Sequence, residues 1–325
     1  MNTTRRQFLK TVGAAAALPA MPSVVRAQSW PNQVIRAIVP FTAGSTLDVI
    51  GRIVADALSQ RLGQPIVVEN RGGAGGTIGS ATVARANPDG YTLLINASAH
   101  SAAPAAYPQI AYDVAKDFAA IASFGSVPNV TIVNPTRGIK TLKDLVAEGQ
   151  RKGELLFSSA GVGSATHWAA ERFRIAAGLK VAHVPFRGGP EATMEVVADR
   201  VDFACMGTSS SMSLIEAGKL LPLAVSTPQR SRALPNVPTT IEAGFPDSDY
   251  TFWNGLLAPA KTPREIINRL YDETRKVLAM PAVIEKLKVQ AIEEMPLTPE
   301  EFDALILKEI DVNKALVKAA GLKFN

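Results

Sequence analysis

The amino-acid sequence predicts an α/β protein of two lobes, each built from parallel βαβ units. Three observations carry that expectation. Short apolar, β-branched runs alternate with segments of helical spacing from Val34 onwards, as expected for strands covered on both faces by crossover helices. Two loops of small, donor-rich residues, TAGST (Thr42 to Thr46) and SSAGVGSAT (Ser158 to Thr166), each follow a strand-like run and open a helix-like one. Beyond a 27-residue leader, the 325-residue chain keeps 325 − 27 = 298 residues, enough for two domains with a core each.

The leader comes first in the chain. TRRQFLK (Thr4 to Lys10) is a twin-arginine export motif, the apolar run Thr11 to Ala20 follows, and Val25-Arg26-Ala27 offers small residues at −3 and −1 of a signal peptidase site. A short terminal helix of a cytoplasmic protein is the bland alternative. Pro19 and Pro22 interrupt the run, which is too short to span a bilayer. The mature chain is expected to begin near Gln28. The net charge of +5 (34 basic, 29 acidic) then falls to 30 − 29 = +1, because Arg5, Arg6, Lys10 and Arg26 leave with the leader. That balance argues against nucleic acid or an anionic membrane as a partner. Cys205 is the only cysteine, so no intramolecular disulfide forms.

In the first lobe, Val34 to Val39, Pro65 to Glu69 and Tyr91 to Asn96 read as strands, the last closed by the polar turn ASAHS. Leu47 to Leu62 has helical spacing and stops at Gly63, and GGAGGTIGSATVARA leads into a second helix. In the second lobe, Asn129 to Val133, Leu155 to Phe157, Ala182 to Pro185, Val201 to Met206 and Leu223 to Val225 are strands. Thr141 N-caps a helix reaching about Arg151, another runs from about Ala165 to Ala177, and RGGPEATMEVVADR supplies a turn and a third helix. After a Pro-rich connection, Phe252 to Ala258 is one more strand. The tail is helical, with Thr262-Pro263-Arg264-Glu265 and Thr298-Pro299-Glu300-Glu301 reading as capping boxes. The chain crosses between lobes near Asn129 and again near Phe252, with no heptads or fixed-period repeat.

Enzyme motifs are missing: no HExxH, CxxC, Gly-x-Ser-x-Gly or Ser-x-x-Lys occurs. His167, beside Thr166 at a helix start, could act as a base, although such a histidine more often packs locally. GGAGGTIG (Gly72 to Gly79) misses the dinucleotide spacing because Ile78 stands where the third glycine should be, and reads better as a tight turn. The two donor-rich loops carry more weight. Each puts unpaired helix N–H groups and the positive end of a helix dipole at the carboxyl end of a strand. Gly44, Gly161 and Gly163 let the backbone approach a ligand, while Ser45, Thr46, Ser164 and Thr166 add hydroxyls. Ordinary capping explains one such loop. Two in different lobes point to an anion clamp.

These segments also carry a resemblance. IVPFTAGSTLDVIGR, VVVENRGGAGGTIGS, NPDGYTLL, SSAGVGSATHWAAERF, VPFRGG, LAVSTPQRSRALPNVPTTIEAG and FWNGLLAPAKTP resemble the Bug/TctC family, extracytoplasmic solute receptors of tripartite tricarboxylate transporters. The resemblance covers essentially the whole mature chain in order. It implies a type II periplasmic-binding-protein fold, two doubly wound α/β lobes joined by a two-stranded hinge. The expected division is a signal peptide over 1–27, lobe 1 from 28–129 and 253–325, and lobe 2 from 130–252.

The resemblance further implies a small organic carboxylate held mainly by backbone groups. By position, this points to Phe41, Thr42, Ala43, Gly44, Ser45 and Thr46 on one lobe. On the other it points to Ser159, Ala160, Gly161, Gly163, Ser164, Thr166 and His167, with Phe186, Arg187 and Gly188 at a further cleft turn. Asp48 is expected to be a structural cap. Departures occur at Ser45, where many members have Gly, at Leu47, where Ser or Thr is usual, and at Trp168, where Leu is common. The expectation is therefore a periplasmic monomer without cofactor or metal, which delivers its ligand to membrane permease subunits. A ligand sensor for a signalling partner and an exported enzyme acting on a carboxylic acid are the alternatives.

Overall fold

The computed structural model describes residues 30–107 and 109–320. The leader expected over residues 1–27 lies outside these described residues.

The first sheet begins with β1 (Ile35–Val39), α1 (Thr46–Leu62), β2 (Ile66–Asn70), α2 (Thr77–Ala84), β3 (Thr92–Ala97), α3 (Ala99–Ala106) and β4 (Phe118–Val127). The chain then builds β5 (Asn129–Val133), α4 (Leu142–Lys152), β6 (Leu155–Ser159), α5 (Ala165–Ala176), β7 (Val181–Pro185), α6 (Gly189–Val197), β8 (Phe203–Gly207), α7 (Thr208–Glu216) and β9 (Leu221–Val225). It returns through β10 (Phe252–Pro259) and ends in α8 (Arg264–Leu278), α9 (Pro281–Val289) and α10 (Pro299–Ala320).

Two five-stranded sheets result, ordered β2-β1-β3-β10-β4 and β7-β6-β8-β5-β9. The orders correspond strand for strand: three parallel strands made by βαβ crossovers, then the strand that arrives from the other lobe, then an edge. The expected parallel pairing therefore holds for β2-β1-β3 and β7-β6-β8 but not throughout. β10 runs antiparallel to β3 and β4, and β5 antiparallel to β8 and β9. A strand entering directly from a neighbouring lobe has no crossover helix to turn it round, so its direction is free to reverse. The two crossings are tied together. Pro128 alone separates β4 from β5, the Ser226 N–H donates to Asn129 O (2.8 Å), and the Tyr250 N–H donates to Ser226 O (2.7 Å).

Helix α1 shows how the sequence drives packing. Leu47, Ile50, Val54, Leu58 and Leu62 are all buried at helical spacing, forming the stripe that seats the helix on its sheet. Ser45 caps its start, and Gly63 ends it with the cap N–H on Ser59 O. The second lobe packs Phe157, Trp168, Phe173 and Phe203, all fully buried or nearly so. In the first, Trp253 meets Phe302 edge-on at 4.9 Å.

Several elements depart from expectation. ASAHS is not a closing turn but the start of α3, an alanine-rich helix that Pro104 helps keep short. Strand β4 and helix α7 had no counterpart in the sequence reading. The β4 sequence, FAAIASFGSV, is mostly Ala, Ser and Gly, residues with little strand preference. The Thr298 box forms, with Thr298 N–H on Glu301 Oε2 (2.9 Å) and Glu301 N–H on Thr298 Oγ1 (3.2 Å). The Thr262 box does not. Pro263 is extended (ψ 136°) in the cap position, and the buried Thr262 hydroxyl has no hydrogen-bond partner among the described residues.

Candidate functional site

Strand β1 delivers the chain into the loop Pro40 to Ser45, and α1 starts at once. The loop is held by Asp48, which is buried and accepts the Gly44 N–H (2.9 Å), Arg52 Nε (3.0 Å) and Asn70 Nδ2 (2.8 Å). Burial opposes ionisation of Asp48, but these bonds outweigh it and hold the carboxyl below its usual range. Asn70 also donates to Phe41 O (3.1 Å). Asp48 thus caps and braces the loop.

The second loop follows β6 and opens α5. Ser164 is the N-cap: its Oγ accepts the His167 N–H (3.3 Å) and donates to Gly161 O (2.7 Å). Thr166 Oγ1 accepts the Ala160 N–H (2.9 Å), and Ser159 Oγ accepts the Gly161 N–H (3.1 Å). His167 Nδ1 accepts the Gly163 N–H (3.0 Å), which places its proton on Nε2. Its ring stacks on His183 with centroids 3.9 Å apart. Burial first, then His183, pushes its pKa down to about 2, so the imidazole is neutral. The hydroxyls that looked like ligand donors are largely spent on holding the loop in shape. What remains to face a ligand is the first-turn backbone, whose amides no helical carbonyl can reach.

A cavity of about 50 Å³ lies between the lobes. Five helices meet there by their first turns: α1 through Thr46 and Leu47, α3 through Ala99, α5 through Ala165 and Thr166, α6 through Gly189 and Pro190, and α7 through Gly207 and Ser210. Phe41, Phe252 and Met206 add apolar walls, and among the described residues no charged side chain lines the cavity. Its potential is set by helix dipoles, with positive ends inward. A larger groove of about 910 Å³ opens elsewhere, lined by the last turns of α7, α8 and α9 (Glu216, Leu278, Val289). Helix C-termini repel anions, so convergence of N-termini, not size, identifies the candidate site.

Of the residues singled out from sequence, Phe41, Ser45, Thr46, Ala160, Ser164 and Thr166 line the cavity. Thr42 and Gly188 meet across the lobes at its rim, where a Cβ on Gly188 would lie 3.1 Å from Thr42 Oγ1. Tyr107 closes the same rim by donating to Val162 O (2.8 Å). Ala43 and Gly44 are exposed in the first loop, Ser159, Gly161 and Gly163 belong to the second without lining the cavity, and Phe186 N–H donates to Ser159 O (3.0 Å). Two further residues stand apart from the cavity. The His167 ring turns into the core, and Arg187 is exposed at the start of α6, its N–H on Glu191 Oε2 (3.3 Å). Sequence reasoning missed Leu47, Ala97, Ala99, Ala165, Gly189, Pro190, Met206, Gly207, Ser210 and Phe252 as cavity walls. The strand-to-helix junctions at Gly188 and Gly207 were a usable signal, but they lack the density of Gly and hydroxyl residues that drew attention to the other two.

Two lobes with corresponding strand orders, two crossings and a cleft of helix N-termini define a periplasmic-binding-protein fold. The family model described as "Tripartite tricarboxylate transporter family receptor" matches residues 50–322, and the chain belongs to that family of solute receptors. A curated relative from Pseudomonas sp. (strain P51), the UPF0065 protein in the tcbD-tcbE intergenic region, is 35% identical over 100% of this chain and 97% of its own length. A solved structure of a periplasmic transporter is 38% identical with a TM-score of 0.86, covering 91% of this chain and 100% of its own. Rpa4515 of R. palustris, solved with adipate, is 30% identical with a TM-score of 0.85, covering 90% of this chain and 99% of its own. Among the described residues no helix is long and apolar enough to cross a membrane.

Proposed function

We propose that this receptor captures a small organic carboxylate in the interlobe cleft and presents it to the permease subunits of a tripartite transporter. One observation carries the reading: helix N-termini from both lobes converge on a cavity that no charged side chain lines among the described residues. Such a cradle fits a carboxylate, because first-turn amides and dipoles supply its partners. Two or three such bonds at about 1.5–3 kcal/mol each, with packing, reach the ~8 kcal/mol of micromolar binding. The adipate in Rpa4515 supports the ligand class, and family membership supports the permease.

The protein acts by capture rather than by chemistry. In support, the loop histidine serves as a neutral hydrogen-bond acceptor within the lobe. The chain works as a monomer of two lobes, residues 28–129 with 253–325 and residues 130–252, and reaches the periplasm by its twin-arginine leader TRRQFLK. Cell fractionation tests the last point, since leader-bearing chain in the cytoplasm would contradict it. A thermal-shift screen of mono-, di-, tri- and aromatic carboxylates tests capture itself. A ligand raises the melting temperature by mass action on the native state, and a screen in which no acid does so would overturn the reading.

A further inference from the structure

Away from the cavity, the contact of α10 with α3 and β10 holds an ionisable group that ligand capture does not use. Glu309 of α10 turns its carboxyl inward against two fully buried side chains of the first lobe, Ser101 of α3 (2.5 Å) and Trp253 of β10 (Nε1 to Oε2, 2.8 Å). Ser101 Oγ also lies 2.8 Å from Ser98 O. One hydroxyl proton cannot serve both acceptors. If Glu309 carries a proton, its O–H donates to Ser101 Oγ, Ser101 donates to Ser98 O, and the Trp253 N–H still finds a lone pair. Every group is then satisfied.

The second lobe seals this pocket with Arg172, from the helix whose first turn faces the cavity. Arg172 Nη1 donates to Asp249 O (2.9 Å), and Nη2 donates to Asn313 Oδ1 (3.3 Å), one turn beyond Glu309 on α10. Its guanidinium lies 5.3 Å from the Tyr250 ring centroid at the second crossing. We propose that Glu309 is a proton-binding site linking lobe closure to pH, with Arg172 as the positioning residue that seals it. When the lobes open, α5 leaves α10, the bond from Arg172 to Asn313 breaks, and water reaches the carboxyl. Closing takes one proton from solvent onto Glu309.

The direction follows from burial. Burial pushes the Glu309 carboxyl up to about 7 in the closed protein, against smaller opposing effects of Ser101, Trp253, Arg172 and Lys308. Arg172 from α5 and Lys308 from α10 are the charged groups facing it. The Tyr250 phenol is raised by burial and neutral, while Ser101 and Trp253 do not titrate. A raised acid pKa means that the closed form binds the proton more tightly than the open, solvated form. The preference for closure is fully present below the ordinary range of a solvated glutamate. It declines as pH rises towards 7 and is lost above.

This inference rests on the proposed opening and closing of the lobes but not on which ligand binds, so its test is made without ligand. Small-angle X-ray scattering compares wild type, Glu309→Gln and Arg172→Gln at pH 5 and pH 8. Wild type should show a larger radius of gyration at pH 8, Glu309→Gln a small one at both, and Arg172→Gln a large one at both. A wild-type radius equal at the two pH values overturns the proposal, as does Glu309→Gln expanding like wild type. Circular dichroism checks that the variants fold. If Glu309→Gln does not, the wild-type comparison and Arg172→Gln still decide. Failure of the carboxylate screen would leave this result standing.

Discussion

The backbone N–H of Gly163 donates to Nδ1 of His167 across 3.0 Å, so the histidine beside the cavity braces the loop that precedes its own helix. Gly163 has φ +71°, and a Cβ there would sit 2.9 Å from Tyr107 Cε2 on the opposite rim. A valine would strain the backbone and push the lobes apart. Gly163→Val is expected to abolish carboxylate binding while the protein stays folded. Ser164→Ala should cost only on the order of 1–2 kcal/mol, because it removes one cap and one loop bond. Calorimetric titration of both variants gives the ranking, and wild-type affinity in Gly163→Val would refute the backbone-cradle account.

Asp48 has three donors around a buried carboxylate. Asp48→Ala leaves the Gly44 amide and Asn70 without that acceptor, a loss of about 1–3 kcal/mol. Both the melting temperature and ligand affinity should fall together. A variant with normal stability and normal affinity would show that the first loop holds its shape unaided.

The resemblance placed Arg187 at a cleft turn, among the residues expected to hold the ligand. Its exposed position favours solvent. Arg187→Ala is expected to leave the dissociation constant within about threefold, since an exposed charge is screened over roughly 8–10 Å. A tenfold weakening would place the side chain at the ligand after all.

Burial holds the imidazoles of His100, His167 and His183 at pKa values of about 3, 2 and 4, with His183 adding to the shift of His167. In the unfolded chain they protonate near 6.5. The unfolded state therefore binds protons that the native state refuses, and stability falls as pH drops below about 6.5 towards these values. Nuclear magnetic resonance should show all three rings neutral in the native protein at pH 5. A ring titrating near 6.5 would contradict its burial.

Much of the fold could be read from local chemistry. Thr141 caps α4 and β5 runs over Asn129 to Val133, both as expected. The strand that escaped notice depends on tertiary context. Strand β4 pairs only because β10 arrives from far along the chain, and its Gly125 must lie against Glu293 O, where a Cβ would come within 2.5 Å. The cavity was half legible for the same reason. Ser45 and Ser164 announce helix starts by their type, whereas Ala99 and Gly207 face the cavity only because the sheets place α3 and α7 there. Both hydroxyl-rich loops border the cavity, yet most of their hydroxyls serve the loops themselves.

The two sheets also differ in when they can be completed. All of β7-β6-β8-β5-β9 comes from one unbroken stretch, Asn129 to Val225. The other sheet needs β10, residues 252 to 259, to join β3 to β4. As the chain leaves the ribosome, the later-coded lobe can finish its sheet first, since domains fold as units during synthesis. The earlier-coded half must wait with β3 and β4 unjoined, two edges open to wrong partners. A chain truncated before Phe252 would therefore carry one complete sheet and one broken one, and it is the amino-terminal half that would be broken.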